Sequence, residues 1–211
     1  MSSPAFIWDL DGTLFDSYAI IVSAVCQGLG EVGITVDKQE VFRKVTATSV
    51  SHYLQEIADQ HGYDQPALFS RCSSIQTSMD DNIRLNPNAA RVLEALHAKG
   101  ARHFVYTHKG GSAQSVLDRL GIGHYFTEVV TAAQGFTRKP APDGITYLVE
   151  KYGLDKDQCY YVGDRTIDMA CAANAKIQGI LYLYSPSSAQ GKDLATCCVN
   201  DLQHILELNL Q

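Results

Sequence analysis

The sequence predicts an α/β fold, a doubly wound parallel sheet with an inserted helical domain. Apolar runs of strand length alternate with stretches of helical periodicity over much of the 211 residues, which is the order that βαβ units produce. Acidic and other polar residues follow several of these runs, and ligands of such sheets bind beyond the carboxyl ends of the strands. Residues 17–83 break the alternation, because they show helical spacing without a convincing strand.

Five apolar runs predict parallel strands, at 5–8, 102–107, 128–131, 158–162 and 177–183. The stretches between them predict four helices, at 87–99, 112–120, 143–152 and 166–175. Pro87 suits a first helical position, and Gly100 suits a helix stop. Short right-handed crossovers would place these helices on both faces of the sheet.

The insertion predicts a separate helical domain. Apolar residues recur at helical spacing in 20–25, 54–58 and 68–75. A connection of this length is too long for a simple crossover between two strands. We therefore expect a core domain formed by residues 1–15 and 84–211, with residues 16–83 as a helical domain.

Composition limits the class of protein. The net charge of −6 and the absence of a Lys/Arg run argue against a nucleic-acid partner. No apolar stretch approaches the roughly 20 residues needed to cross a bilayer. Residues 1–4 lack the basic start of a secretory signal, so a cytoplasmic location is expected. The six cysteines form no CxxC pair, which predicts small buried side chains in a reducing compartment.

Two carboxylates stand where the first strand ends. The run FIWDLDGT, residues 6–13, places Asp9 and Asp11 two residues apart before a glycine turn. Two anions this close repel unless a cation or a proton lies between them. The pair suits Mg²⁺, which prefers oxygen ligands. It also suits nucleophilic catalysis, in which one carboxylate attacks phosphorus while its neighbour moves protons. A strand followed by an acidic turn is the alternative, and this motif alone leaves both open.

Three further motifs follow in order along the chain. They are FVYT at 104–107, KPAPD at 139–143 and GDRTID at 163–168. Together with DLDGT at 9–13, they resemble the four motifs of the haloacid dehalogenase superfamily. The resemblance extends from residue 5 to about residue 183, and implies a Rossmann-like core with each motif at or just after a strand end.

The resemblance implies a role for each motif residue. Asp9 would be the nucleophile that forms an aspartyl-phosphate, and Asp11 the general acid and base. The expected phosphate-binding residues are Thr107, His108 and Lys139. The expected Mg²⁺ site comprises Asp9, Asp11 through its backbone carbonyl, Asp164 and Asp168. Asp168 has a second interpretation as an acidic residue that complements the dipole of a helix N-terminus. Lys139, taken outside its motif, would simply be a solvated lysine.

Two positions depart from the family pattern. His108 stands where family members often have Asn, which affects substrate contacts more than catalysis. Lys176 stands where relatives usually turn on a glycine, and lysine adopts a left-handed cap less readily than glycine. This second departure puts the local turn in doubt.

The resemblance implies a Mg²⁺-dependent phosphatase of small phosphorylated metabolites, phosphoglycolate-like or sugar phosphates. The segment 9–17 is most similar to the phosphoglycolate phosphatase branch, and Asp11 disfavours the haloacid dehalogenases themselves. Phosphatases of this family that carry an insert at the place of residues 16–83 use it as a helical cap that closes over the site. A phosphomutase of the β-phosphoglucomutase type would keep the same residues, and a catalytically silent regulatory protein is the third alternative. The expected partner is a small-molecule phosphate ester, with neither nucleic acid nor membrane.

Overall fold

A computed structural model describes residues 3–208, and the chain divides into two compact units. One unit comprises residues 3–16 and 84–208, and the other is Ser17–Ile83. The assignment of the two units as catalytic core and cap stays a prediction.

The first unit is built on a six-stranded sheet with the order β5-β4-β1-β6-β7-β8, in which every neighbouring pair is parallel. Two further strands, β2 and β3, pair antiparallel as a short ribbon. The strands are β1 Ala5–Trp8, β2 Phe15–Asp16, β3 Arg84–Leu85, β4 Arg102–Tyr106, β5 Phe126–Val130, β6 Cys159–Gly163, β7 Gln178–Tyr182 and β8 Cys197–Val199.

The predicted α/β class is confirmed. Four α-helices flank the sheet in the order expected, and their bounds are α5 Ala89–Ala98, α6 Ala113–Arg119, α7 Asp143–Tyr152 and α8 Thr166–Ala175. The prediction for Pro87 is wrong, because α5 begins two residues later, after Asn88 in a left-handed conformation. Neither the ribbon nor β8 was expected, since two or three residues are too few to show a period.

The second unit is helical, as predicted. It contains α1 Tyr18–Gly30, α2 Lys38–Ala47, α3 Val50–His61 and α4 Gln65–Ser78. The last three are capped by the preceding residues Asp37, Ser49 and Asp64, whose side chains accept backbone N–H groups of the first turn. Helices α1 and α4 approach closely at Gly28, where a Cβ atom would lie 2.6 Å from the Cys72 sulfur. This unit therefore has its own caps and its own packed core.

The central strands β1 and β6 are buried on both faces of the sheet, to which their successive side chains point in turn. On one face, Ile7 and Phe104 pack into an apolar cluster with residues of α7 and α8. On the other face, Phe6 stacks on Trp8 and Tyr160 at ring-centroid distances of 5.9 and 5.2 Å. All four residues of β1 are buried, so β1 is a rigid support for the residue that follows it.

The cysteines match their predicted burial only in part. All six cysteines are free thiols, but Cys198 is exposed and only Cys72, Cys159 and Cys171 are buried. Within the part of the chain that the structure describes, no helix has the length and apolar character needed to cross a bilayer. The cytoplasmic location stays a prediction.

Lys176 closes α8 in the left-handed conformation, with φ 58° and ψ 46°, so the turn forms without glycine. Lys176→Gly is expected to stabilise the protein by about 0.5–1 kcal/mol, because a left-handed conformation strains any residue that carries a Cβ. Urea unfolding of the two proteins measures the difference. Gly153 closes α7 at nearly the same dihedral angles, φ 58° and ψ 43°, and provides the reverse experiment. Gly153→Lys should destabilise, and a gain from that substitution would contradict the argument.

His103 is a buried histidine whose Nδ1 accepts a hydrogen bond from Trp8 Nε1 at 3.1 Å. Burial, with a smaller effect of His97, lowers the pKa of His103 to about 4. The unfolded chain therefore binds this proton more readily, and stability is lost as pH falls from about 6.5 towards 4. As pH falls from 7 to 5, protonation of His103 in the unfolded chain is expected to lower the free energy of unfolding by about 2 kcal/mol. His103→Phe should flatten this slope, whereas substitution of the exposed His97 by Gln should preserve it.

Candidate active site

Three adjacent strands end at one place and carry three of the predicted residues. Asp9 directly follows β1, Thr107 directly follows β4 and Asp164 directly follows β6. The register fixes their alignment, since Trp8 lies opposite both Val105 and Val162. The Asp9 backbone N–H extends the ladder by donating to the Val162 carbonyl at 2.9 Å. The carboxyl edge of the sheet therefore brings these motif residues together, and all three are buried.

Lys139 reaches the same point from a loop, not from a strand end. It lies in the loop between β5, which ends at Val130, and α7, so the expectation that every motif stands at or just after a strand end is wrong for this residue. Its Nζ lies 3.0 Å from Asp9 Oδ1 and 2.9 Å from Asp168 Oδ1, and its side chain is 0% exposed. Burial lowers the pKa of Lys139, but Asp168 and Asp9 more than offset this and hold it above the ordinary value. Lys139 is thus a buried ammonium group and not a solvated lysine.

Asp9 is a carboxylate with two unlike oxygens. Burial raises its pKa, but the charges of Lys139 and Arg165 more than offset the burial and keep the pKa below the ordinary value. Oδ1 contacts the Lys139 ammonium, whereas Oδ2 accepts no hydrogen bond from any residue in the range 3–208. An ionised oxygen held in place without a hydrogen bond is well suited to attack an electrophile.

Three buried carboxylates form a cluster that could hold a metal ion. One carboxylate oxygen from each of Asp9, Asp164 and Asp168 lies within 4.8 Å of the others. Hard oxygen donors in this number suit Mg²⁺, which commonly keeps several waters. Gly163 is required beside the cluster, because a Cβ atom there would lie 2.4 Å from the Asp168 Cβ.

Asp168 also has the second role that its position suggested. Its Oδ2 accepts the backbone N–H of Arg165 at 3.1 Å, at the N-terminus of α8. Its Oδ1 contacts Lys139 and lies 3.4 Å from the Tyr161 hydroxyl. Asp164 is contacted by the Thr13 hydroxyl, which lies 3.4 Å from Oδ1. These contacts hold both carboxylates in position for a shared cation.

Asp11 lies in the turn that follows Asp9. Gly12 adopts φ 81°, and the backbone N–H groups of Gly12 and Thr13 donate to Phe15 and Leu10. The Asp11 side chain is half-buried, and it is not one of the three clustered carboxylates. Its predicted ligand atom is the backbone carbonyl, so its catalytic and metal-binding roles stay predictions.

His108 has a contact that the sequence did not suggest. Its Nε2 accepts the backbone N–H of Lys139 at 2.9 Å, so the ring fixes the loop that carries the ammonium group. Burial and the Lys139 charge hold the pKa of His108 well below its ordinary value, and the ring is neutral. Thr107, the neighbouring residue, accepts the Lys109 backbone N–H on its hydroxyl at 3.1 Å. Phosphate binding by His108 and Thr107 stays a prediction.

Arg165 is the site residue that sequence reasoning missed. Its Nη2 lies 3.5 Å from Asp9 Oδ2, and its side chain is 11% exposed. The feature of the sequence that could have identified it is a basic residue inside GDRTID, between two carboxylates that the motif places at the site. With Arg165 and Lys139 the site pairs two cations with three carboxylates, an arrangement that can stabilise negative charge on a group attached to Asp9.

A family model for haloacid dehalogenase-like hydrolases matches residues 6–182. The chain is similar to the phosphoglycolate phosphatase of Rhodospirillum rubrum, at 29% identity over 210 residues that cover 93% of this chain and 86% of that protein. It is also similar to the phosphoglycolate phosphatase of Vibrio cholerae, at 27% identity over 190 residues and 84% of each chain.

Solved structures are also similar to this chain. A hydrolase from Streptococcus pneumoniae is 30% identical with a TM-score of 0.59, over 86% of this chain and 94% of that one. A haloacid dehalogenase-like family protein from the same organism shares the fold, with a TM-score of 0.83 at 22% identity over 98% and 99% of the two chains. The match extends over most of the chain and includes all four motifs, so the chain belongs to the haloacid dehalogenase-like hydrolase family.

Proposed function

We propose that this hydrolase is a Mg²⁺-dependent phosphatase of small phosphorylated metabolites that works through an aspartyl-phosphate. The observation that carries the proposal is Asp9. It is a buried, ionised carboxylate with one oxygen against a buried ammonium group and the other without a hydrogen bond from the described residues. Phosphoryl transfer needs a placed nucleophile and positive charge around the phosphoryl oxygens, and this site offers both.

In the first step, an Asp9 oxygen attacks phosphorus and the bond from phosphorus to the ester oxygen breaks. Asp11 donates its proton to the leaving alkoxide, so an alcohol departs and phosphate remains on Asp9. The Lys139 ammonium group and the Thr107 hydroxyl stabilise the charge on the phosphoryl oxygens. In the second step, Asp11 takes a proton from water, which attacks phosphorus, releasing inorganic phosphate and restoring Asp9.

The residues for Mg²⁺ are Asp9, Asp164 and Asp168, with the Asp11 carbonyl. The side-chain oxygens of the three aspartates lie close enough to share one ion, and all are the hard donors that Mg²⁺ takes. When bound, the ion would neutralise negative charge on the phosphoryl group. Lys139 contacts two of the same carboxylates, so the cluster is partly neutralised before any metal binds.

The substrate class follows from relatives and from chain order. The curated relatives described above are phosphoglycolate phosphatases, which supports a small phosphate ester, either phosphoglycolate-like or a sugar phosphate. The helical unit interrupts the chain between β2 and β3, soon after the DLDGT motif. We infer that this unit is the cap that selects the substrate. The side chains of the catalytic motifs are all retained, which argues against a silent regulatory protein.

The test follows free phosphate released by the purified full-length protein from 2-phosphoglycolate and a panel of sugar phosphates. We expect hydrolysis with Mg²⁺, none with EDTA, and inhibition by Ca²⁺, whose looser and higher coordination misplaces the reacting groups. Conversion of β-glucose 1-phosphate to glucose 6-phosphate is measured in parallel. Isomerisation with negligible phosphate release would replace the phosphatase with the mutase. Full activity in exhaustively chelated protein would contradict the metal requirement.

A further inference from the structure

We propose that Arg165 is a further phosphate-contacting residue, which binds the transferring phosphoryl group at the Asp9 oxygen that Lys139 does not contact. The proposal rests on the phosphatase function above and adds a residue to its machinery. None of the roles expected from the four motifs includes Arg165.

The geometry places the Arg165 guanidinium beside the reacting carboxylate. Its Nη2 lies 3.5 Å from Asp9 Oδ2, while Lys139 Nζ lies 3.0 Å from Asp9 Oδ1. One cation therefore faces each oxygen of the nucleophile. The backbone is fixed by the hydrogen bond from the Arg165 N–H to Asp168 Oδ2, which depends on no property of the arginine side chain.

The distance between the Arg165 guanidinium and Asp9 supports contact with the phosphoryl group. A phosphorus atom ready for attack lies about 3–3.5 Å from the attacking oxygen. Because Nη2 is 3.5 Å from Asp9 Oδ2, a phosphoryl group at that oxygen enters the space that the guanidinium borders. The N–H groups of a guanidinium form a planar fork that binds two phosphate oxygens at once. The side chain is only 11% exposed, so its charge is weakly screened by solvent.

A competing role is that Arg165 only neutralises the acidic cluster. Its Nε lies 3.9 Å from Asp168 Oδ2, so the side chain faces a second carboxylate as well. The two roles differ in what happens to anions. A cation that only neutralises the cluster acts on phosphate through its charge alone, so a lysine in its place preserves phosphate affinity, whereas loss of the charge strengthens the attraction of the cluster for Mg²⁺. A residue that binds phosphate through its planar fork loses affinity even when lysine replaces it.

The experiment compares Arg165→Met, Arg165→Lys and a control, Arg119→Met, which removes an exposed arginine at the end of α6. Inorganic phosphate is titrated calorimetrically in the presence of Mg²⁺, and its inhibition of ester hydrolysis is measured on the same preparations. Arg165→Met is expected to weaken the binding of inorganic phosphate at least about 10-fold and to lower kcat/KM about 10²–10³-fold. Arg165→Lys, which keeps the charge but loses the fork, should fall between this variant and the unchanged protein.

Phosphate affinity within two-fold of the unchanged protein in folded Arg165→Met would overturn the proposal, as would an equal loss in Arg119→Met. If Arg165→Met does not fold, undiminished phosphate affinity in Arg165→Lys overturns it instead. The unchanged protein separates this inference from the wider one. Failure to hydrolyse any ester refutes the phosphatase function, whereas the phosphate titration still decides whether Arg165 binds phosphate. A protein that neither hydrolyses esters nor binds phosphate refutes both.

Discussion

Asp9→Asn is expected to abolish ester hydrolysis, with a loss of at least about 10⁴-fold, because removal of a covalent nucleophile commonly costs several orders of magnitude. The amide is nearly the same size as the carboxylate, but it is uncharged and a poor nucleophile. Lys139 keeps Asp168 as a partner at 2.9 Å, so the variant is expected to stay folded. Steady-state release of phosphate measures the loss, and circular dichroism confirms the fold.

The covalent step has its own measurement. Acid quenching of the unchanged protein during turnover should trap a protein whose mass is increased by one phosphoryl group, and Asp9→Asn should show no such species. Asp157→Asn, at an exposed aspartate just before β6, is the matched control and should retain both activity and the trapped species. Near-normal turnover in Asp9→Asn would refute the nucleophile, provided that intact-mass analysis excludes deamidation back to aspartate.

The sequence predicted the parts of the site that depend on strand ends. Asp9, Thr107 and Asp164 each follow a central strand directly, and parallel pairing alone then brings them together. Strand ends alone do not place Lys139, because eight residues separate it from the end of β5. The path of that loop is set by contacts such as the hydrogen bond from the Lys139 backbone N–H to His108 Nε2. Its family motif identified it when the topology did not.

The remaining misses have distinct physical causes. Arg165 lies next to a predicted ligand, but whether its side chain turns towards Asp9 or solvent is a matter of rotamer and packing that no spacing encodes. Strand β8 has three residues, too few to display a period of two. Lys176 was expected to disfavour the left-handed turn, yet the turn forms, because the contacts of the surrounding helix and strand outweigh a strain of about 1 kcal/mol.

Lys139→Met is expected to destabilise the protein by about 3–5 kcal/mol at neutral pH without metal, because removal of one partner leaves buried charge uncompensated. Asp9 and Asp168 share this ammonium group, and all three side chains are almost completely buried. The same substitution should lower kcat/KM by at least about 10²-fold, since a preorganised charge at the phosphoryl group is lost.

The pH dependence of the lost stability shows whether it comes from the uncompensated carboxylate of Asp9. With Lys139 present, the pKa of Asp9 lies below its ordinary value, so the stabilisation exists above that value and is lost as pH falls through the folded-state pKa. Without Lys139, burial of Asp9 opposes ionisation, and the penalty is largest at neutral pH. We therefore expect the difference in unfolding free energy between the two proteins to shrink as pH is lowered from 7.5 towards 4. Urea unfolding in EDTA measures this difference.

Lys151→Met is the matched control, because that lysine pairs with Glu128 at the surface, and such pairs contribute about 0–1 kcal/mol. Equal losses in Lys139→Met and Lys151→Met, or a difference that does not change with pH, would show that the buried ammonium group does not compensate the carboxylates of the site.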